Sequence, residues 1–198
     1  MVDITLVIGA VIAVVVITVV LVVWLQSRLR KKISLEFADD MGTSYVLKTK
    51  NVEKAYSAYK DLKEKRKCHG MVISRVFPER LCQKYELEKN TFMWLSYEKT
   101  KESIDPSDLE KLEFLIHDFA SAHKDAVVLL DGVEYLILQN SFDSTLRFLQ
   151  SLNDQIILNR AVLVIPLDPA SLEKKELSLL ERELETLQVD YRLSRFFE

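Results

Sequence analysis

Glycine is scarce in this chain: only Gly9, Gly42, Gly70 and Gly132 occur among 198 residues. A phosphate loop needs a glycine-rich turn ending in Gly-Lys-Ser/Thr, whose backbone amides cradle phosphates. None is present, and the first strand signal runs on as Lys48-Thr49-Lys50-Asn51-Val52. That argues against conventional ATP hydrolysis. Cysteine is equally rare. Cys68 and Cys82 form no CxxC pair, which argues against a zinc site and leaves two free thiols in a cytoplasmic domain. The histidines His69, His117 and His123 are scattered, with no HExxH or paired spacing. His117 is expected on the solvent side of an amphipathic helix. Cys68 and His69 are adjacent, so their side chains diverge rather than pair. No Gly-x-Ser-x-Gly elbow exists. No cofactor is implied by any of these patterns.

Charge is missing from one long stretch. Ile4 to Leu25 is uncharged and almost wholly apolar, and Arg28, Arg30, Lys31 and Lys32 follow at once. At about 1.5 Å per residue such a run spans the roughly 30 Å hydrocarbon core of a bilayer. A helix satisfies its own backbone groups, as lipid requires. The one-sided basic flank places the C-terminal side in the cytoplasm. A cleaved signal peptide needs a basic segment before the apolar run and a small-residue cleavage site. Here the charges lie after it, and Trp24 with Gln26 stands where that site would be. The expected layout is an anchor with basic flank at 1–32, a linker at 33–41 and one cytoplasmic domain at 42–198, in a single-pass protein of the cell membrane.

The first 32 residues remove four basic residues and one acid, leaving 23 basic against 29 acidic, a net charge near −6. Nucleic acid requires a basic face, so none is expected as a partner. The basic flank is better suited to anionic lipid head groups.

Beyond the linker, strand and helix signals alternate. Strands are expected near 44–50, 71–76, 91–96, 126–131 and 161–166, and Tyr191 to Phe197 is a candidate closing strand. Ala126–Leu130 and Ala161–Ile165 are continuously apolar. Such strands are buried on both faces, as in a parallel sheet covered by helices. Between strands, Ala55, Tyr56, Tyr59 and Leu62 share one helical face, and Pro78 to Tyr85 reads as a short helix. Asp105 caps a helix carrying Leu109, Leu112, Ile116 and Phe119, with Pro106 in its first turn. Asn140 is expected to cap another, carrying Phe142, Leu146, Leu149 and Leu152. Asp168-Pro169 opens the last, with Leu177, Leu180, Leu184 and Leu187. The fold class is therefore α/β: a mainly parallel sheet flanked by helices, preceded by one transmembrane helix.

Ligands of open parallel sheets bind beyond the carboxyl ends of the strands. That rule selects Arg75, Ser96, Asp131 and Glu134, with Lys48, Lys50, Ser74 and Asp168 nearby. Val127 to Asp131 looks like a Walker B strand, whose final acid holds Mg²⁺. Without the glycine loop, Asp131 reads better as a structural acid bonded at the Gly132 turn. For self-association, Gly9 and Ala13 form a small-xxx-small pair, and the last four leucines are spaced like a heptad seam, but two heptads are too few for a coiled coil and packing on the sheet is the expected use.

Several segments together resemble a known family. They are Gly70-Met71-Val72-Ile73-Ser74-Arg75-x-x-Pro78, Trp94-Leu95-Ser96, Leu129 to Leu136, Leu146 to Leu149 and Leu179 to Glu185. In this order they look like the archaeal domain of unknown function numbered 835. The resemblance covers about Gly42 to Leu187. It implies a RecA/KaiC-like, degenerate domain lacking a phosphate loop, an archaeal source, and a signalling or scaffold role. It supplies no catalytic residues.

The reading that results is a membrane-tethered, non-catalytic signalling or scaffold module, bound to lipid through its N-terminal helix and to a protein partner or itself. The alternative is a nucleotide-sensing or phosphate-chemistry enzyme using the carboxyl edge. The topology is checked in intact cells. A cysteine introduced near Met1 should label from outside, whereas Cys68 and Cys82 should not; outside labelling of either native thiol rejects the orientation.

Overall fold

The computed structural model describes residues 14–22, 24, 41–87 and 89–188. Two compact units are distinguished, Met1–Ala38 and Asp39–Glu198. In the first, residues 14–22 and 24 are helical with exposed apolar side chains. Among the described residues no helix is long and apolar enough to cross a membrane. The rest of the Ile4–Leu25 run, including both of its ends, and Arg28, Arg30, Lys31 and Lys32 lie outside the described residues.

The second unit runs β1 (Thr43–Lys48), α1 (Val52–Arg66), β2 (Gly70–Ser74), α2 (Pro78–Tyr85), β3 (Thr91–Leu95) and β4 (Ser103–Ile104). It continues α3 (Leu109–Ala122), β5 (Val127–Asp131), α4 (Val133–Asn140), α5 (Phe142–Leu158), β6 (Val162–Leu167), a 3-10 turn at Pro169–Ser171, α6 (Lys174–Glu183) and β7 (Glu185–Gln188). The strands form one sheet in the order β4-β3-β2-β5-β6-β1-β7. Every pairing is parallel.

Right-handed crossovers decide the layers. The path β1 to β2 to β3 moves one way along the sheet, which puts α1 and α2 on one face. The path β4 to β5 to β6, then on to β7, moves back, which puts α3 to α6 on the other. Alternate strand residues Ile73, Val128, Leu130, Leu163 and Ile165 face this second layer and join its core with Ile116, Leu152, Ile156 and Leu180. Ala55, Tyr56, Tyr59 and Leu62 of α1 are buried on the first face.

Local signals explain most element ends, and some differ from the sequence expectation. Asp108, not Asp105, caps α3 by accepting from the Lys111 amide. Asp105 instead closes the preceding turn, accepting from the Ser107 amide. The segment after β5 holds a separate short helix, α4, that periodicity alone did not separate. Ser141 then caps α5, its hydroxyl accepting from the Ser144 amide, whereas Asn140 ends α4. Asp168 caps only the 3-10 turn, and α6 opens at a capping box between Glu173 and Glu176. His117 is partly buried rather than solvent-facing, with Nε2 3.4 Å from Ser121 Oγ.

The leucine seam packs on the sheet as expected, but its helix is shorter than the spacing suggested. α6 stops at Glu183, and Leu187 belongs to β7. Leu180 and Leu184 are buried in this domain's own core, with Leu177 packed against it. That removes the helix from the self-association hypothesis. No glycine or proline stands between Leu177 and Leu187, so the helical spacing of the leucines runs on across the real boundary. The proposed closing strand Tyr191 to Phe197 lies outside the described residues, as does the Gly9/Ala13 pair.

The layer assignment has a direct check by urea unfolding. Leu163 is fully buried, so Leu163→Ala should cost about 2–5 kcal/mol. Leu158 is 76% exposed, so Leu158→Ala should change stability by less than about 0.5 kcal/mol. Equal effects would contradict the packing described.

Candidate functional site at the carboxyl edge

β5 is the central strand of seven, and Asp131 is its last residue. Its neighbour β2 ends at Ser74, in register with Asp131. Above them lies the first turn-and-a-half of α1, which begins only three residues after β1. That short connection is closed on itself. Thr49 Oγ1 accepts from the Asn51 amide at 3.0 Å, and Asn51 Oδ1 accepts from the Glu53 amide at 2.9 Å. The site of a phosphate loop is therefore a tight helix-capping turn.

Because the turn is short, α1 sits low on the sheet and delivers Tyr56 to Asp131. Tyr56 donates its hydroxyl to Asp131 Oδ2 at 2.7 Å, and Ser74 donates to the same oxygen at 3.0 Å. Ser74 Oγ in turn accepts from the Val76 amide at 3.1 Å. Tyr56 is 1% exposed, and its ring stacks on Tyr85 with centroids 4.1 Å apart and planes 4° off parallel. Burial first, then the nearby Asp131 charge, holds the phenol far above its ordinary range, so it stays a donor. Burial also raises the Asp131 carboxyl, opposed by the two hydroxyl bonds.

Gly132 follows at φ +147°, where a Cβ would lie 2.9 Å from Leu95 Cδ1. This sharp reversal turns the chain into α4 and brings Glu134 beside β6. Glu134 Oε1 accepts from the Asp168 amide at 3.1 Å. Burial raises its carboxyl as well, and the charges of Asp131 and Asp168 add to that.

The four candidates thus separate into two groups. Asp131 and Glu134 share one electrostatic neighbourhood, tied down by Tyr56, Ser74 and the Asp168 amide. Arg75 leaves it, its guanidinium carbon 3.8 Å from the centroid of Tyr135. Ser96 leaves it too, its hydroxyl accepting from the Glu98 amide at 3.1 Å. Lys48 pairs with Glu181 at 2.6 Å. Sequence reasoning missed Tyr56 as a partner, because its helical spacing matches the apolar face it also belongs to. Asp131 is bonded by side chains from α1 and β2, where the sequence suggested a bond at the Gly132 turn. Among the described residues no group of three or more acids, histidines or cysteines is arranged to hold a metal. The turn before α1 lacks the glycines and the Gly-Lys-Ser/Thr of a phosphate loop, so these residues do not fit a nucleotide held in the Walker manner.

Beside this clamp is an exposed aromatic surface. Phe77 meets Trp94 edge-to-face at 5.0 Å, and Trp94 Nε1 donates to the Arg75 carbonyl at 3.0 Å. Tyr97, 57% exposed, donates its hydroxyl to Gln139 of α4.

The chain belongs to the family described as "Protein of unknown function (DUF835)", whose profile matches residues 48–184. No curated protein sequence matches it. Among solved structures it is similar to the flagellar accessory protein FlaH from Methanocaldococcus jannaschii. The TM-score is 0.53 at 11% identity, covering 75% of this chain and 71% of that one. It is also similar to the protein PH0250 from Pyrococcus horikoshii OT3. There the TM-score is 0.56 at 15% identity, covering 79% of this chain and 87% of that one. At such identities the likeness is one of fold: a RecA-type parallel α/β sheet flanked by helices.

The clamp predicts a pH signature. Because its folded carboxyl is raised, Asp131 contributes a stability that falls as pH rises from the ordinary range near 3.9 through the raised value. Above that window the buried carboxylate is held charged at a cost. Asp131→Asn keeps an oxygen for both hydroxyls and removes the charge. The melting temperature of Asp131→Asn relative to wild type should therefore climb across the window and level off above it. Tyr56→Phe should lose about 1–2 kcal/mol at neutral pH. A pH-independent difference for Asp131→Asn would show that the carboxyl is not strained by burial.

Proposed function

We propose that this member of the DUF835 family is a membrane-tethered, non-catalytic signalling or scaffold module, with its α/β domain in the cytoplasm and a protein partner bound at the carboxyl edge of the sheet. The observation that carries the reading is the clamp on Asp131. The acid that a RecA-type enzyme would offer to a metal here accepts from Tyr56 and Ser74 through Oδ2. The turn before α1 spends its polar groups on capping the helix.

Two further features support it. The apolar run Ile4–Leu25 with its basic flank suits a single-pass anchor. The surface of Arg75, Phe77, Trp94 and Tyr97 has the residue types that concentrate binding energy in protein interfaces. These side chains are held in fixed geometry by ring contacts and the Trp94 bond, which lowers the ordering cost of binding.

Thermal shift of the full-length protein in detergent with nucleotide and Mg²⁺ tests the non-catalytic half. No shift is expected. A ligand at 100 times its Kd adds about 2.7 kcal/mol, which is easily seen. A shift abolished by Asp131→Ala, with circular dichroism unchanged, would move the assignment to a nucleotide sensor or phosphate-chemistry enzyme. For the partner half, pull-down from native membranes should retain a protein that Trp94→Ala loses, at a cost of about 2 kcal/mol or more. Retention unaffected by Trp94→Ala and Arg75→Ala would place the partner elsewhere.

A further inference from the structure

The opposite, amino edge of the sheet has a chemistry of its own. The starts of β2, β5, β6 and β1 lie side by side there, joined by backbone bonds. The Val127 amide donates to His69, Val162 to Ala126, and Gly42 to Ala161. Three strand spacings put the two ends of this row about 14 Å apart.

Apolar side chains crop out at one end of it. Met41, Ile157 and Leu158 are 45%, 51% and 76% exposed. They form one patch. Gly42 lies against Ile157, where a Cβ would come within 3.2 Å of its carbonyl oxygen, and the Arg160 guanidinium lies 3.1 Å from Met41 Sδ. Basic side chains continue along the row. Arg160, Lys124, Lys65 and Lys67 are all exposed, with Glu64 and the half-buried Asp125 as the acids among them. The helix ends explain the concentration: α1 finishes with Lys63, Lys65 and Arg66 in its last turn, where cations oppose the helix dipole.

The whole domain is polarised in the same sense. Residues 43–90, which build α1 and α2, contain twelve Lys or Arg and six Asp or Glu. Residues 91–188 contain nine and eighteen. A net charge near −6 therefore conceals a basic side and an acidic side.

We propose that this amino edge rests on the anionic surface of the bilayer. Met41, Ile157 and Leu158 enter the head-group boundary, and Lys65, Lys67, Lys124 and Arg160 meet lipid phosphates. The inference rests on the membrane-tethered reading above and adds which surface of the domain the lipid meets. Three arguments select this occupant. The chain enters the domain at this edge, at residue 41, nine residues after the basic flank that ends at Lys32. Nine residues reach at most about 32 Å, so the edge stays near the interface. An apolar outcrop rimmed by basic side chains is the composition that interfacial binding uses. Finally, α1 ends at this edge with its lysines, so an anionic leaflet draws that part of the edge towards it. The carboxyl edge with Arg75 and Trp94 then points away from lipid, open to a soluble partner.

The test uses the full chain, reconstituted into vesicles of phosphatidylcholine alone or with phosphatidylserine. Cys68→Ser and Cys82→Ser remove the native thiols. A fluorophore is then placed through Leu158→Cys, or through Ser171→Cys at the exposed turn beyond the carboxyl end of β6. Lipids carrying a quencher near the head group report contact. The Leu158 position should be quenched more strongly than Ser171 in phosphatidylserine vesicles. That excess should vanish in phosphatidylcholine alone, in high salt, and in the triple charge reversal Lys65→Glu, Lys67→Glu, Lys124→Glu. Equal quenching at the two positions in phosphatidylserine vesicles overturns the proposal. Alkaline extraction of the same vesicles separates the two layers of the argument. Retention without excess quenching at Leu158 rejects the edge and keeps the tether. Release at alkaline pH with excess quenching at neutral pH keeps the edge and rejects the spanning helix.

Discussion

One half-buried carboxylate organises this domain. Asp131 ends the central strand, beneath a helix and beside a parallel neighbour, where an ionised acid is costly unless hydrogen-bonded. Tyr56 and Ser74 supply the bonds from α1 and β2, so one oxygen joins three elements. The arrangement depends on the brevity of the connection from β1. With only Thr49, Lys50 and Asn51 between strand and helix, α1 begins close enough to the sheet for its second turn to reach the acid. A longer loop would lift the helix and leave room for a ligand. Here Tyr56, stacked on Tyr85 and all but inaccessible, occupies that space.

Much of this architecture was legible because burial on both faces leaves an unmistakable trace. Val127–Leu130 and Val162–Ile165 admit no polar residue, and a strand tolerates that only between two helical layers. Asp131 could be placed at a central carboxyl edge from the same run. The unread parts share a cause: periodicity cannot see a boundary that does not interrupt it. α6 and β7 are both leucine-bearing, and the switch from Glu183 to Glu185 carries neither glycine nor proline. α4 and α5 meet at Ser141, which takes a φ of +116° without being a glycine or asparagine that would mark the break. β4 is two residues long and exists because the Trp94 amide finds the Glu102 carbonyl. Tyr56 was visible as a residue but not as a donor, since an amphipathic face reads identically whether its tyrosine ends in a void or on an acid.

A parallel sheet has chemically unlike edges, and this chain loads them differently. Strand ends converge on one side with Asp131, Glu134 and the aromatic cluster around Trp94. Helix ends converge on the other with lysines, an arginine and protruding leucine and isoleucine. Neither loading is needed for folding: exposed Leu158 and Tyr97 add nothing to the core. Apolar groups are thus left exposed at both edges of a domain whose core is otherwise complete.

The clamp also sets the terms on which the rival enzymatic reading could hold. Both hydroxyls are directed at Asp131 Oδ2, so a ligand that took this oxygen would displace Tyr56 and Ser74 together. Each buried hydroxyl left unpaired costs about 1–3 kcal/mol. Two of them weaken binding through Oδ2 by roughly 30-fold to 10⁴-fold, at 1.4 kcal/mol for each factor of ten. Glu134 has one oxygen engaged by the Asp168 amide, and its carboxyl is itself raised by burial. Lys48 is paired with Glu181 of the neighbouring helix. A cation reaching Asp131 through Oδ1 leaves the clamp in place, so the two hydroxyls set the cost of binding at one oxygen of this acid and not at the other. The clamp therefore fixes α1 and β2 around one oxygen of Asp131, with the surface of Trp94 and Arg75 beside it held by its own ring contacts.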